Sequence, residues 1–189
     1  MPRLFAAIEI GSAAQSRVVD EQARLNETMR ASSIRWTKRD QLHITLVFIG
    51  DIAEEHAAKI VQSMGAAIPH PAFRFELGGI GAFPPRGAPR ALWIGVKSGA
   101  GQIIRVQSLV AGRLEDVGVE RERRPFSPHL TVGRWRDSRP SDRPPISSGE
   151  PPTLARVDVN AVTLFQSRVS SDGSTYTRLV ETPLAPGSG

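Results

Sequence analysis

One short pattern occurs twice and restricts the fold more than any other feature of the chain. Residues 43–46 read His-Ile-Thr-Leu and residues 129–132 read His-Leu-Thr-Val. Each sits in a run rich in β-branched and apolar residues, "LHITLVFI" and "HLTVGRW", as strands are. Each is preceded at almost the same distance by another strand-like run, "LFAAIEI" in the first half and "ALWIGV" in the second. From Phe5 to His43 is 38 positions; from Leu92 to His129 is 37. Between them lies a helical periodicity, with Val18, Leu25 and Met29 over residues 12–31 and Ile103, Val106, Val110, Leu114 and Val117 over 101–117. Counted from the chain's own composition, two such histidine motifs arise by chance with a frequency on the order of 0.0004, before strand bias is allowed for. Strand, helix and His-x-Thr strand are therefore read as a diverged internal duplication.

The remaining segments complete an α+β reading. Asp51 is placed as the cap of a second amphipathic helix carrying Ile52, Ile60, Val61 and Met64. "FRFEL" (73–77) alternates as a strand and "GAFPPRGAPR" reads as a turn-rich loop. Residues 137–152 form a loop of proline and serine, and strands are expected over 155–167 and 174–182, joined by a turn at Asp172-Gly173. The expected architecture is a single bilobal domain over residues 1–189: two pseudo-symmetric antiparallel-sheet lobes, helices on their outer faces and a cleft between them. Residues 185–189 are expected to fray.

The chain has no cysteine, which excludes disulfides, thiolate metal sites and a cysteine nucleophile. No apolar run is long enough to span a membrane and no signal-type h-region opens the sequence, so a cytoplasmic protein with no membrane partner is expected. The net charge is +5, carried by 21 arginines and only three lysines. Seven arginines fall between Arg121 and Arg143 against three acidic residues, around the second motif. Arginine's planar fork suits phosphate, so this stretch reads either as a solvated basic loop or as a landing surface for a polyanion such as nucleic acid.

Side chains two apart on a strand share a face. His43 and Thr45 therefore point together, as do His129 and Thr131, while Ile44, Leu46, Leu130 and Val132 point into the core. If the halves pack about a pseudo-twofold, the two polar pairs meet across one groove. Two imidazoles with ordinary pKa values of about 6.5 supply a base and an acid near neutral pH. That pairing suits metal-free displacement at phosphorus, with threonine hydroxyls on the non-bridging oxygens and an arginine neutralising charge. Arg134, just beyond the second motif, is the candidate. A metal centre is poorly supplied, since two histidines are too few for a closed site and neither motif contains a carboxylate. No nucleophile elbow, phosphate-cradling glycine loop or dinucleotide fingerprint is present.

These residues carry a resemblance. "RLFAAIEI", "HITLVFIG", "GIGAFPPRGAPRALWIGV", "HLTVGR" and "VTLFQSRV" resemble, in order and over nearly the whole chain, the 2H phosphoesterase superfamily. Within it they are most similar to the RNA 2′,3′-cyclic phosphodiesterases, also called 2′-5′ RNA ligases. The resemblance implies a bilobal fold and hydrolysis of a ribose 2′,3′-cyclic phosphate to a 2′-phosphomonoester, with no metal or nucleotide cofactor. It implies His129 as the proton acceptor that activates water, His43 as the proton donor to the departing 3′ oxygen, and Thr45, Thr131 and Arg134 as phosphate ligands. Symmetry of the motifs gives no independent way to choose acid from base. Phe48 and Phe126 are read either as base-stacking or cleft-wall residues or as ordinary core aromatics. Val47 stands where many relatives have a basic residue. The expected partner is RNA with a 2′,3′-cyclic phosphate end, or a small cyclic-phosphate nucleotide, acted on by a monomer. A non-catalytic RNA-end-binding module is the alternative from another class. His56 and His70 are read as ordinary helix-flank and loop residues.

Overall fold

A computed structural model describes residues 1–29, 33–144, 149–170 and 173–185. The chain runs β1 (Arg3–Glu9), α1 (Gly11–Met29), β2 (Ile34–Trp36), β3 (His43–Asp51), α2 (Glu54–Ser63), β4 (Ile68–Pro69), β5 (Phe73–Phe83), β6 (Ala91–Ser98), α3 (Ala100–Glu115), β7 (His129–Trp135), β8 (Ala155–Val159), β9 (Ala161–Ser170) and β10 (Gly173–Ala185). Short 3₁₀ turns occupy 39–41 and 140–142.

Ten strands form two five-stranded sheets, ordered β3-β1-β9-β10-β4 and β2-β7-β6-β5-β8. All pairings are antiparallel except the two-residue contact of β4 with β10. Each His-x-Thr strand lies beside the strand that precedes its helix, β3 on β1 and β7 on β6, as the duplication requires. The halves are not segregated, however. β2 crosses from the first half to extend the second sheet beside β7, and β9 and β10 return to complete the first. The run expected as one strand over 155–167 breaks at Asn160, and its two pieces join different sheets, β8 against β5 and β9 against β1.

The apolar faces of the sheets and the helices enclose the core. Ile44, Leu46, Leu130 and Val132 are all buried, together with Val18 and Leu25 of α1 and Ile103, Val106, Val110 and Leu114 of α3. Helix α1 lies against β8, and α3 against β3 and β4, so helices and sheets of the two halves interlock. Gln22 of α1 ties this packing by donating its amide to the carbonyls of Thr37 (2.9 Å) and Val132 (2.8 Å), which leaves a buried polar group satisfied.

Three local expectations change. Asp51 ends β3 rather than capping α2, which begins at Glu54 with Ala53 at its N-cap. The β5 strand runs on through Phe83, so "GAF" belongs to the sheet and the loop starts at Pro84. Helix α1 is described to Met29; the turn residue Asp172 and residues 186–189 lie outside the described residues, while Ala185 closes β10.

Candidate active site

His43 and Thr45 on β3, and His129 and Thr131 on β7, line one cleft of about 520 Å³ between the sheets. Alternation alone puts each histidine with its threonine. It does not account for Arg134 and Phe48, which line the same cleft. Both stand five residues after their histidine, and a regular strand sends an odd-numbered neighbour to the opposite face.

The pairing registers resolve this. His129, Thr131 and Arg134 face Gly95, Trp93 and Ala91 of β6, every second residue, because β7 carries one extra residue where Gly133 pairs with Leu92. Likewise His43, Thr45 and Phe48 face Glu9, Ala7 and Phe5 of β1, with an extra residue at Leu46 and Val47. A bulge of this kind re-aims the side chains beyond it. The duplication thus extends further than the motif: Phe48 occupies on β3 the place that Arg134 occupies on β7. Ile34 and Trp36 of β2 close over Gly133, where an added Cβ would lie 2.9 Å from the Ile34 Cγ2.

Each imidazole is oriented from behind in the same way. The Nδ1 of His43 is 2.7 Å from the Gln41 carbonyl, and the Nδ1 of His129 is 2.7 Å from the Ser127 carbonyl. A carbonyl only accepts, so Nδ1 carries the hydrogen in both rings and Nε2 is the exchangeable position. For His43 that Nε2 lies 3.0 Å from the Thr45 hydroxyl. An aromatic ring supports each histidine. Phe5 stacks on His43 with centroids 4.9 Å apart, and Phe83 meets His129 edge-on at 4.9 Å.

The surroundings otherwise differ. His43 is packed among Phe5, Phe165 and Tyr176, and that burial pushes its pKa down to about 4, with the positive charge of Arg134 adding to the effect. The Gln41 carbonyl and Glu9 oppose the shift without cancelling it. In the free protein His43 is therefore neutral at pH 7. Glu9 is itself held by Arg178, through contacts down to 2.6 Å, and by the Thr163 hydroxyl at 3.0 Å.

The sequence places this site in a known lineage. Residues 18–170 match the model of the 2'-5' RNA ligase superfamily. The chain belongs to the 2'-5' RNA ligase superfamily. Its relatives include an RNA 2',3'-cyclic phosphodiesterase of Archaeoglobus fulgidus, 31% identical over 174 residues, which span 92% of this chain and 96% of the relative. Another, from Aeropyrum pernix, is 33% identical over 172 residues, spanning 89% of this chain and 97% of that protein. Among solved structures, E. coli LigT complexed with 3'-AMP superposes with a TM-score of 0.76 at 24% identity, covering 97% of this chain and 99% of that one. The TT0787 protein of Thermus thermophilus gives 0.77 at 23% identity, with 97% and 98% covered. At those identities the structural likeness speaks to the fold.

Within this superfamily member, six of the seven residues singled out from sequence line one cleft: His43, Thr45, Phe48, His129, Thr131 and Arg134. Phe126 does not line the cleft. It packs against the core, as an ordinary core aromatic does, and lines a neighbouring pocket instead of the cleft wall. Sequence reasoning missed Arg3, Phe5, Gln41 and Tyr176, all of which line the cleft. Tyr176 meets the His43 ring edge-on at 5.5 Å, and burial holds its phenol above its ordinary pKa, so the hydroxyl remains a donor. Arg3 places its guanidinium 5.0 Å from the centre of the Phe48 ring. These residues carry no repeated motif; only the strand register brings them in. His56 is not a free flank residue, since its Nε2 bonds the Val117 carbonyl at 2.6 Å and ties α2 to the end of α3. His70 is buried, with Nδ1 2.7 Å from the Pro71 carbonyl. Among the described residues no group of three or more His, Asp or Glu side chains is arranged to hold a metal, and no helix is long and apolar enough to cross a membrane.

Proposed function

We propose that this protein is an RNA 2′,3′-cyclic phosphodiesterase, opening a terminal ribose 2′,3′-cyclic phosphate to a 2′-phosphomonoester by two-histidine acid–base catalysis. The observation that carries the reading is the pair of back-bonded imidazoles, each with Nε2 free to exchange a proton, on two strands lining one cleft together with Arg134 and the two threonines. The relatives named above as RNA 2',3'-cyclic phosphodiesterases support the substrate class.

In this mechanism His129 Nε2 takes a proton from water as the water oxygen bonds to phosphorus. The bond from phosphorus to O3′ breaks, and His43 Nε2 gives its proton to the departing O3′. Thr45, Thr131 and the Tyr176 hydroxyl donate to the non-bridging oxygens, and Arg134 offsets the charge that gathers on them. His43 starts neutral in the free protein. It takes up a proton from solvent as the substrate binds, because an anionic phosphate beside the ring favours the charged imidazolium. Replacing water by the 5′-hydroxyl of a second RNA, with the same loss of O3′, gives a 2′-5′ linkage. The protein works as a cytoplasmic monomer on this reading, with the arginines around the second motif drawing in the RNA.

The test is turnover of a nucleoside 2′,3′-cyclic phosphate in excess chelator, with the product isomer identified by phosphorus NMR. Clean 2′-phosphate, with kcat lowered on the order of a hundredfold or more in His43→Ala and in His129→Ala, is expected. No turnover of that compound or of a short RNA with the same end sinks the catalytic reading in favour of an RNA-end-binding module. Loss of activity in chelator that zinc restores sinks the metal-free mechanism.

A further inference from the structure

Two neighbouring pockets share residues with the cleft. The one beside α3 has an apolar floor of Leu46, Ala111, Leu114 and Val119, which offers no partner to a phosphate. The other lies at the start of β1, has a volume of about 800 Å³, and shares Arg3, Ser167 and Val169 with the cleft. Ser167 faces Arg3 across the β1–β9 pairing, and Arg168 follows it on β9. Among the described residues neither arginine forms an ion pair or a side-chain hydrogen bond, whereas Arg178 on β10 is bound to Glu9. Val169 is 69% exposed and Leu179 36%, so two apolar side chains meet water in the same pocket. Asp51 and Glu54 line the pocket but not the cleft, so the rim that the two spaces share carries Arg3 alone as a charged group.

We propose that this pocket receives the nucleotide that precedes the cyclic end, with Arg3 and Arg168 on its phosphodiester, so that the site is fitted to an RNA terminus and not to a free nucleotide. The inference rests on the cleft being a cyclic-phosphate site. Besides its base and its cyclic phosphate, the terminal sugar of such an RNA has one further connection, O5′, which bears the phosphodiester of the preceding residue. That group is anionic, and a nucleoside 2′,3′-cyclic phosphate lacks it. Ala7 faces Thr45, and Arg3 stands four residues before it on β1, about 13 Å along the strand. That separation is too long for Arg3 to share the reacting phosphate with Thr45, and it suits the next phosphate of the same chain. Two guanidiniums without carboxylate partners keep their full attraction for that phosphate, and their planar forks match its oxygens. Val169 and Leu179 supply apolar surface that the preceding sugar and base cover.

The experiment compares kcat/KM for adenosine 2′,3′-cyclic phosphate with that for an adenosine trinucleotide ending in the same cyclic phosphate, at low and at high salt. The trinucleotide is expected to lead by about tenfold at low salt, and the lead falls as salt rises. In Arg168→Ala that lead shrinks about fivefold or more, and the salt slope of log kcat/KM for the trinucleotide drops by about 0.7. Arg168→Lys keeps the charge and with it the slope. Equal kcat/KM for the two compounds in the unaltered protein overturns the proposal. So does a trinucleotide lead that survives Arg168→Glu, since the strand then lies over other arginines. If the unaltered protein turns over neither compound, the phosphodiesterase reading has failed. Fluorescence anisotropy of a labelled trinucleotide 2′-phosphate, with adenosine 2′-monophosphate as competitor, then decides the pocket. A trinucleotide affinity that Arg168→Glu weakens more than that of adenosine 2′-monophosphate sustains it, and equal losses overturn it.

Discussion

Binding of a phosphate in the cleft should put a proton on His43, and the size of the effect follows from the geometry. Burial among Phe5, Phe165 and Tyr176 lowers the free His43 pKa from 6.5 to about 4. That is a preference of about 3 kcal/mol for the neutral ring. A unit negative charge about 4 Å from the ring, at an effective dielectric of about 20, contributes about 4 kcal/mol in the opposite sense. Bound phosphate therefore returns the pKa to about 7. At pH 6 roughly 1% of the free protein and roughly 90% of the complex carries the His43 proton, so binding takes up close to one proton. The assay is NMR titration of the His43 ring, with His43→Gln to assign it, without and with a saturating nucleoside 2′-monophosphate. Calorimetry in two buffers of different ionisation enthalpy counts the proton independently. A free His43 that titrates near its ordinary value refutes the burial argument. A ring that titrates near 4 and does not move when phosphate binds refutes its role as the donor.

Other consequences can be checked in parallel. Because the His43 pKa is depressed in the folded state, its contribution to stability is complete above about pH 6.5 and is lost as the pH falls towards 4. Denaturant melts of the ligand-free protein over that range should lose up to about 3 kcal/mol from this group, and less in His43→Gln. Arg134→Ala should lower kcat about a hundredfold, with Arg134→Lys recovering part of it, in steady-state assays. Tyr176→Phe keeps the ring beside His43 and removes only the donor, so kcat should fall about tenfold with Tm unchanged; an unaltered kcat would confine Tyr176 to packing. Gly81→Ala drives a methyl into the Trp93 ring, the residue that faces Thr131 across the sheet. Thermal melts should show a loss of about 1–3 kcal/mol.

Much of this protein is written locally. The alternation in "HITL" and "HLTV" sends His43, Thr45, His129 and Thr131 to one face and buries Ile44, Leu46, Leu130 and Val132, as the structure has them. The spacing of the repeats identifies which strands and helices correspond, because a period of two and a period of 3.6 are properties of short segments. The tertiary structure decides what those periods cannot carry. Whether the fifth residue after each histidine reaches the cleft depends on an extra residue that exists only relative to a partner strand, β1 for Phe48 and β6 for Arg134. Arg3, Phe5 and Tyr176 enter the site from strands far away in sequence, and Asn160 divides an apparently continuous strand between two sheets. The charge state of His43 is equally nonlocal, since aromatic rings from β1, β9 and β10 pack around its imidazole and that burial depresses its pKa. Register and burial are pairwise properties of the folded chain, and no single segment contains them.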